Sequence, residues 1–123
     1  MNIPADLKYT NSHEWVKIEG DTATIGITDY AQSELGDIVY VDLPSPGRML
    51  KAGDGFGTVE SVKTVSDIYS PVAGEVLESN GDLEGTSELL NQDPYGKGWL
   101  VKLRVEGEPE GLLDADAYKA ILD

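Results

Sequence analysis

Two β-rich runs within residues 57–71 meet across a reversal, Val62-Lys63-Thr64, that contains no glycine, asparagine or proline. A tight hairpin ordinarily places Asn-Gly, Asp-Gly or Gly-X there, because its central positions call for positive φ. Here the β-branched Val62, Thr64 and Val65 crowd Lys63, the only basic residue between Lys51 and Lys97. Sequences that otherwise obey local rules tend to break them at functional sites. A projecting, backbone-fixed amine is what an enzyme needs if it is to acylate that amine and no other. The competing reading is an ordinary solvated lysine at a turn.

The remainder reads as short strands between turn signals. Alternation predicts strands at 14–18 and 22–27, joined through Glu19-Gly20-Asp21. Thr28 is placed to cap a short helix from Asp29 to Leu35, with Gly36 ending it. A strand over 38–43 is stopped by Pro44, Pro46 and Gly47. After the turn Lys51-Ala52-Gly53-Asp54-Gly55 come the two arms around Lys63, then the turn Pro71-Val72-Ala73-Gly74 and a strand over 75–79. Asn80-Gly81-Asp82 closes that strand, and a short helix is predicted over 87–91. A loop over 93–98, a strand over 99–105 and a last helix over 115–122, capped by Asp114, complete the chain. The pattern predicts a mainly β fold, an antiparallel sandwich or flattened barrel with short helices and a C-terminal helix. A length of 123 residues suits one domain over 1–123, with the hairpin near 56–76 and a helical tail near 109–123.

Composition narrows function. The net charge of −14, from 23 acidic against nine basic residues, argues against nucleic acid as a partner. It suits steering toward basic patches on other proteins. There is no cysteine to serve as nucleophile or metal ligand, and one histidine, His13, leaves little from which to build a histidine metal site or a serine triad. No apolar run approaches the ~20 residues of a membrane helix. The N-terminus has neither signal-peptide nor transit character. The expectation is a cytoplasmic monomer of bacterial type that meets no membrane; a processed mitochondrial form would read similarly.

Four blocks carry a resemblance. The first runs from Phe56 through Lys63 to Ser66-Asp67-Ile68-Tyr69-Ser70-Pro71 and on to Val76. The second is Tyr9-Thr10 with His13-Glu14-Trp15-Val16. The third is Gly26-Ile27-Thr28-Asp29-Tyr30-Ala31-Gln32 leading into Leu35-Gly36-Asp37-Ile38-Val39-Tyr40-Val41. The fourth is Leu90-Asn91 with Asp93-Pro94-Tyr95-Gly96-Lys97-Gly98-Trp99-Leu100. In this order, over nearly the whole chain, they resemble the glycine cleavage system H-protein family, a family of lipoyl carriers. Thr64, where members often have alanine, and the connection over 44–50 depart from its pattern.

The resemblance implies the barrel-sandwich hybrid fold of lipoyl and biotinyl carriers, with lipoate joined to Lys63 as an amide. It implies a carrier, not an enzyme, that takes the aminomethyl group of glycine from a pyridoxal-phosphate glycine decarboxylase (P-protein) to a folate-dependent aminomethyltransferase (T-protein). A dihydrolipoamide dehydrogenase (L-protein) would reoxidise the arm, and a lipoate-attaching enzyme would load it, with Glu60 the candidate for its recognition. A loaded arm carries an ammonium and needs a sheltered anionic resting place, for which Ser12, Glu14 and Asp67 are the candidates. The alternative for Glu14 and Asp67 is a strand-edge charge and a solvated hairpin charge. His13 reads as a packed or hydrogen-bonded residue, with orientation of the arm or proton transfer as its functional alternative. A lipoyl relay protein, which passes lipoate to other carriers, has the same fold and modification and is the alternative. A biotin carrier presents its lysine between methionines, which Val62 and Thr64 are not. A small hydrolase lacks the residues for a site, and a purely structural module leaves the hairpin tip unexplained.

Overall fold

The alternating runs pair into two antiparallel sheets around a common apolar interior. The computed structural model describes residues 2–109 and 111–122; Met1, Glu110 and Asp123, which fall within the expected domain and tail, lie outside them. The order is β1 (Lys8–Tyr9), β2 (Glu14–Glu19), β3 (Thr22–Ile27), α1 (Asp29–Leu35), β4 (Ile38–Asp42), β5 (Met49–Leu50), β6 (Gly55–Ser61) and β7 (Val65–Tyr69). Then come β8 (Gly74–Ser79), α2 (Asp82–Gly85), α3 (Leu89–Gln92), β9 (Val101–Val105) and α4 (Ala115–Leu122). The larger sheet runs β1-β2-β3-β9-β8-β5 and the smaller runs β4-β6-β7. This is the mainly β sandwich with short helices and a C-terminal helix that the alternation predicts.

Period-two patterning puts Ala23, Ile25 and Ile27 of β3 inward, and Phe56, Val59 and Ile68 of the hairpin meet them in one buried cluster. Burying each of the larger of these, Ile25, Ile27, Phe56, Val59 and Ile68, contributes about 1.5–3 kcal/mol. Thr28 caps α1 by accepting the Ala31 amide at 3.1 Å. Gly36 ends α1 at φ 83°, a conformation that favours glycine, and its amide donates to the Gln32 carbonyl at 3.0 Å. Asp114 caps α4 through the Ala117 amide at 2.8 Å. The ring of Tyr118 from α4 then stacks on Tyr9, with centroids 4.7 Å apart, and fixes the tail against β1.

Three short elements were not in the predicted pattern: β1, β5 and α2. A two-residue strand has no period to read, and pairing alone creates it: Tyr9 lies opposite Trp15, and Leu50 opposite Gly74. The strand predicted over 99–105 begins at Val101, because Trp99 closes a turn by donating its amide to the Gly96 carbonyl at 3.2 Å. The helix predicted over 87–91 sits at Leu89–Gln92.

Trp15 and Gly26 face each other across β2 and β3. A Cβ added at Gly26 would come within 2.5 Å of the indole nitrogen, and that N–H donates to the Pro94 carbonyl at 2.9 Å. The ring is rigid and tied, so it has no easy way to yield. Gly26→Ala should therefore lower stability by about 1–3 kcal/mol, the usual cost of overpacking, read as a lower urea midpoint with an unchanged slope. A midpoint equal to wild type would contradict the packing.

Candidate functional site

The hairpin of β6 and β7 turns without any left-handed residue. Among the described non-glycine residues only His13 has positive φ, so Val62 and Lys63 turn with negative φ. The Ser61 hydroxyl oxygen accepts the amides of Lys63 at 3.3 Å and Thr64 at 3.2 Å, while the Ser61 amide donates to the Thr64 carbonyl at 2.8 Å. The remaining tip amide, that of Val62, donates to the Asp37 carbonyl at 3.0 Å. Every backbone donor of the reversal is thus met by a group that requires no glycine.

The Asp37 segment is itself held. Asn91 of α3 accepts the Ile38 amide at 2.9 Å and donates to the Gly36 carbonyl at 2.9 Å and to Gln32 Oε1 at 3.0 Å. A single side chain from a distant helix locks the junction on which the tip leans. Lys63 is exposed, and among the described residues it has no ion-pair partner. Its stem passes over Gly36, where an added Cβ would lie 3.6 Å from Lys63 Cε. Neither Ser61 nor Asn91 was singled out in the sequence as a support. A hydroxyl two residues before the lysine is the one signal that could have been read, since serine caps turns through its side chain.

Ser12 and Asp67 do come together. They line an open cleft of about 140 Å³ between β7 and α1, with His13, Tyr30 and Glu34. Glu14 does not line this cleft itself and sits behind Ser12. It is 1% exposed, and its carboxylate accepts the hydroxyls of Thr10 at 2.7 Å and Ser12 at 2.6 Å, with the Tyr69 amide at 3.5 Å. It borders a separate cleft beside Tyr69, Ser70 and Leu113. Hydrogen bonds to a carboxylate are what make its burial tolerable. Its connection to the Asp67 cleft is indirect, because it fixes the Ser12 hydroxyl. Glu60 is exposed on the outer face of the small sheet, paired with Tyr40 on one side and Val65 on the other.

His13 is the hinge of the turn before β2, at φ 73°. Its Nδ1 lies 2.9 Å from the Tyr118 hydroxyl, which also lies 2.7 Å from Thr28 Oγ1, and its ring packs 4.7 Å from Tyr30. Burial lowers its pKa below the usual histidine value, against the opposing pull of Glu14 and Glu34. The same burial pushes the Tyr118 hydroxyl up to about 12.

Residues 7–123 match the family model described as Glycine cleavage H-protein. A glycine cleavage system H protein from Bacteroides thetaiotaomicron is 58% identical over 125 residues, covering 100% of this chain and 99% of the relative. One from Thermus thermophilus is 55% identical over 125 residues, covering 100% and 98%. The crystal structure of a glycine cleavage system H protein from Mycobacterium marinum is similar with a TM-score of 0.92 at 39% identity, covering 98% of each chain.

The lowered pKa of His13 sets a sign for pH dependence. Unfolded, the imidazole takes up a proton below its ordinary value, near 6.5; folded, it resists until lower pH. The unfolded state binds more protons in that window, so stability falls as pH falls through it and levels off once the folded residue is also protonated. His13→Asn, which tolerates the left-handed backbone, should remove this slope below pH 6.5 and leave the carboxylate-driven loss at lower pH. Parallel curves of stability against pH for the two proteins would contradict it.

Proposed function

The chain belongs to the glycine cleavage H-protein family, and on that premise we propose that Lys63 is the residue through which it carries lipoate. The chain is a lipoyl carrier of the glycine cleavage system. The observation that carries the assignment of Lys63 is its place at a tip whose amides are held by Ser61 and Asp37. The amine stands free on a fixed backbone, which fits a covalent tether. Attachment joins Lys63 Nζ to the lipoyl carboxyl as an amide: the ammonium gives up one proton to become the nucleophile, the activating group departs from the carboxyl, and the nitrogen loses a second proton, which removes the lysine charge.

When bound, lipoate supplies a dithiolane that carries the aminomethyl group of glycine and exchanges two electrons. The protein's own share is presentation and shelter. Ser12, Asp67 and Glu34 line the cleft beside the tip and offer a hydroxyl and two carboxylates to a cationic cargo. Glu14 acts as a positioning residue by fixing the Ser12 hydroxyl. The chain serves as a carrier substrate, not as an enzyme, and its one histidine supports this by being engaged with Tyr118 and Tyr30. Its partners in this reading are the pyridoxal-phosphate glycine decarboxylase, the aminomethyltransferase, the dihydrolipoamide dehydrogenase and a lipoate-attaching enzyme. The common interior of the two sheets supports one carrier domain. Among the described residues no helix is long and apolar enough to cross a membrane, and we place the carrier in the bacterial cytoplasm with its partners.

Intact mass before and after incubation with a purified lipoate-attaching enzyme tests the assignment. The wild-type chain should gain one lipoyl amide and Lys63→Arg none, with Tm unchanged because the side chain is exposed. A gain that persists in Lys63→Arg would move the attachment elsewhere.

A further inference from the structure

The last helix reaches the cleft of Ser12, Glu34 and Asp67 through one buried hydroxyl. Tyr118 of α4 is buried, and its ring is seated independently of that hydroxyl by the stack on Tyr9, with planes 9° apart. Tyr118 Oη lies 2.9 Å from His13 Nδ1 and 2.7 Å from Thr28 Oγ1. These two partners belong to different walls of the cleft. His13 follows Ser12 in the turn before β2, whereas Thr28 caps α1, which brings Tyr30 and Glu34. The donors can be assigned. Thr28 Oγ1 accepts the Ala31 amide at 3.1 Å, so its own proton goes to Tyr118 Oη. Tyr118 then donates to His13 Nδ1, which leaves the imidazole proton on Nε2. The reverse direction would strand the Thr28 proton, since Thr28 is buried and its hydroxyl has no other acceptor among the described residues.

Resting on the reading of this cleft as the shelter of the aminomethyl cargo, we propose that Tyr118 is a positioning residue for it, its hydroxyl setting the spacing between the Ser12 turn and α1. Tyr118 does not line the cleft; it acts through His13 and Thr28. The other ties on each wall do not set that spacing. Ser12 is held from behind by Glu14 at 2.6 Å. Asp67 comes with β7, which pairs with β6. At its far end α1 is tied to α3 through Asn91, and at its start to Tyr95 through the Asp29 amide. What joins α1 to the Ser12 turn is the Tyr118 hydroxyl, together with the Thr28 amide on the His13 carbonyl at 3.1 Å and the contact of the His13 and Tyr30 rings. The attraction of a carboxylate for an ammonium falls with their separation. A wall that drifts therefore weakens what Glu34 and Asp67 offer a cationic cargo. The C-terminal helix thus has a task in the carrier beyond covering β1.

Tyr118→Phe removes the hydroxyl and keeps the ring. Tyr9→Phe is the matched control: it takes a hydroxyl from the other ring of the same stack, one that donates to the Pro4 carbonyl at 2.6 Å and touches neither wall. On the unloaded protein, hydrogen exchange at the Thr28 and Ala31 amides, measured against the amides of β6, should speed between about two- and tenfold in Tyr118→Phe, the span of one lost hydrogen bond. Imidazole 15N shifts of the neutral ring should show the proton on Nε2 in wild type and a mixture of tautomers in the variant. The carrier is then lipoylated on Lys63 and charged with the aminomethyl group from glycine, and ammonium is followed as water replaces it at the methylene carbon. Tyr118→Phe should release it faster than wild type by the same factor, and Tyr9→Phe at the wild-type rate. A wild-type proton on Nδ1, unmoved exchange at Thr28 and Ala31, or an equal change in Tyr9→Phe overturns the proposal. So does unchanged release from Tyr118→Phe where Asp67→Asn releases faster, and the shelter then stands without Tyr118. Unchanged release from both overturns the shelter itself, and the role of Tyr118 with it.

Discussion

Three backbone amides at the hairpin tip need partners, and the position of Lys63 depends on where they find them. In most tight hairpins a glycine or asparagine resolves this by adopting positive φ. Here the Ser61 hydroxyl takes two amides and the Asp37 carbonyl takes the third. The consequence reaches far beyond the turn. Asp37 lies between Gly36 and Ile38, which Asn91 holds from α3, so the tip is braced against a helix that is remote in sequence. A lysine on a loose coil would present its amine in every direction. This one emerges at a position fixed by the core.

Two environments border the hairpin, and Asp67 belongs to both. On one side of the hairpin, β7 and α1 enclose a small acidic cleft that includes Ser12, Asp67 and Glu34. On the other, the outer face of β4, β6 and β7 alternates apolar side chains with carboxylates. The tail contributes at a distance: Tyr118 anchors His13, whose left-handed backbone turns the chain just before Glu14 and Trp15.

What the sequence revealed follows the range of the interactions involved. Alternation found β3 and β8 closely, because one-sided burial shows in every second residue at their start, whereas β2 was bounded by its turns, its buried residues being consecutive. Caps at Thr28 and Asp114 were readable because each acts on an amide three residues away. The lysine stood out because its turn lacked turn residues. What stayed hidden was long-range. Glu14 read as an arm-cleft or edge charge, and its burial beside the Tyr69 amide, 55 residues on, has no local signal. Asn91 looked like one polar residue in a short helix, and its three contacts lie 53 to 59 residues away. The strands β1 and β5 exist only through their partners. Family resemblance pointed to Lys63 without saying how its backbone is supported.

The claim that all of this serves is rigidity at the tip, and backbone order parameters from 15N relaxation test it most directly. Val62, Lys63 and Thr64 should show S² near 0.85, as in a rigid strand, and Asn91→Ala should lower them together. Values below about 0.6 at those three amides in the wild-type protein would mean that Lys63 rides on a flexible loop, and the account of a braced tip would be wrong.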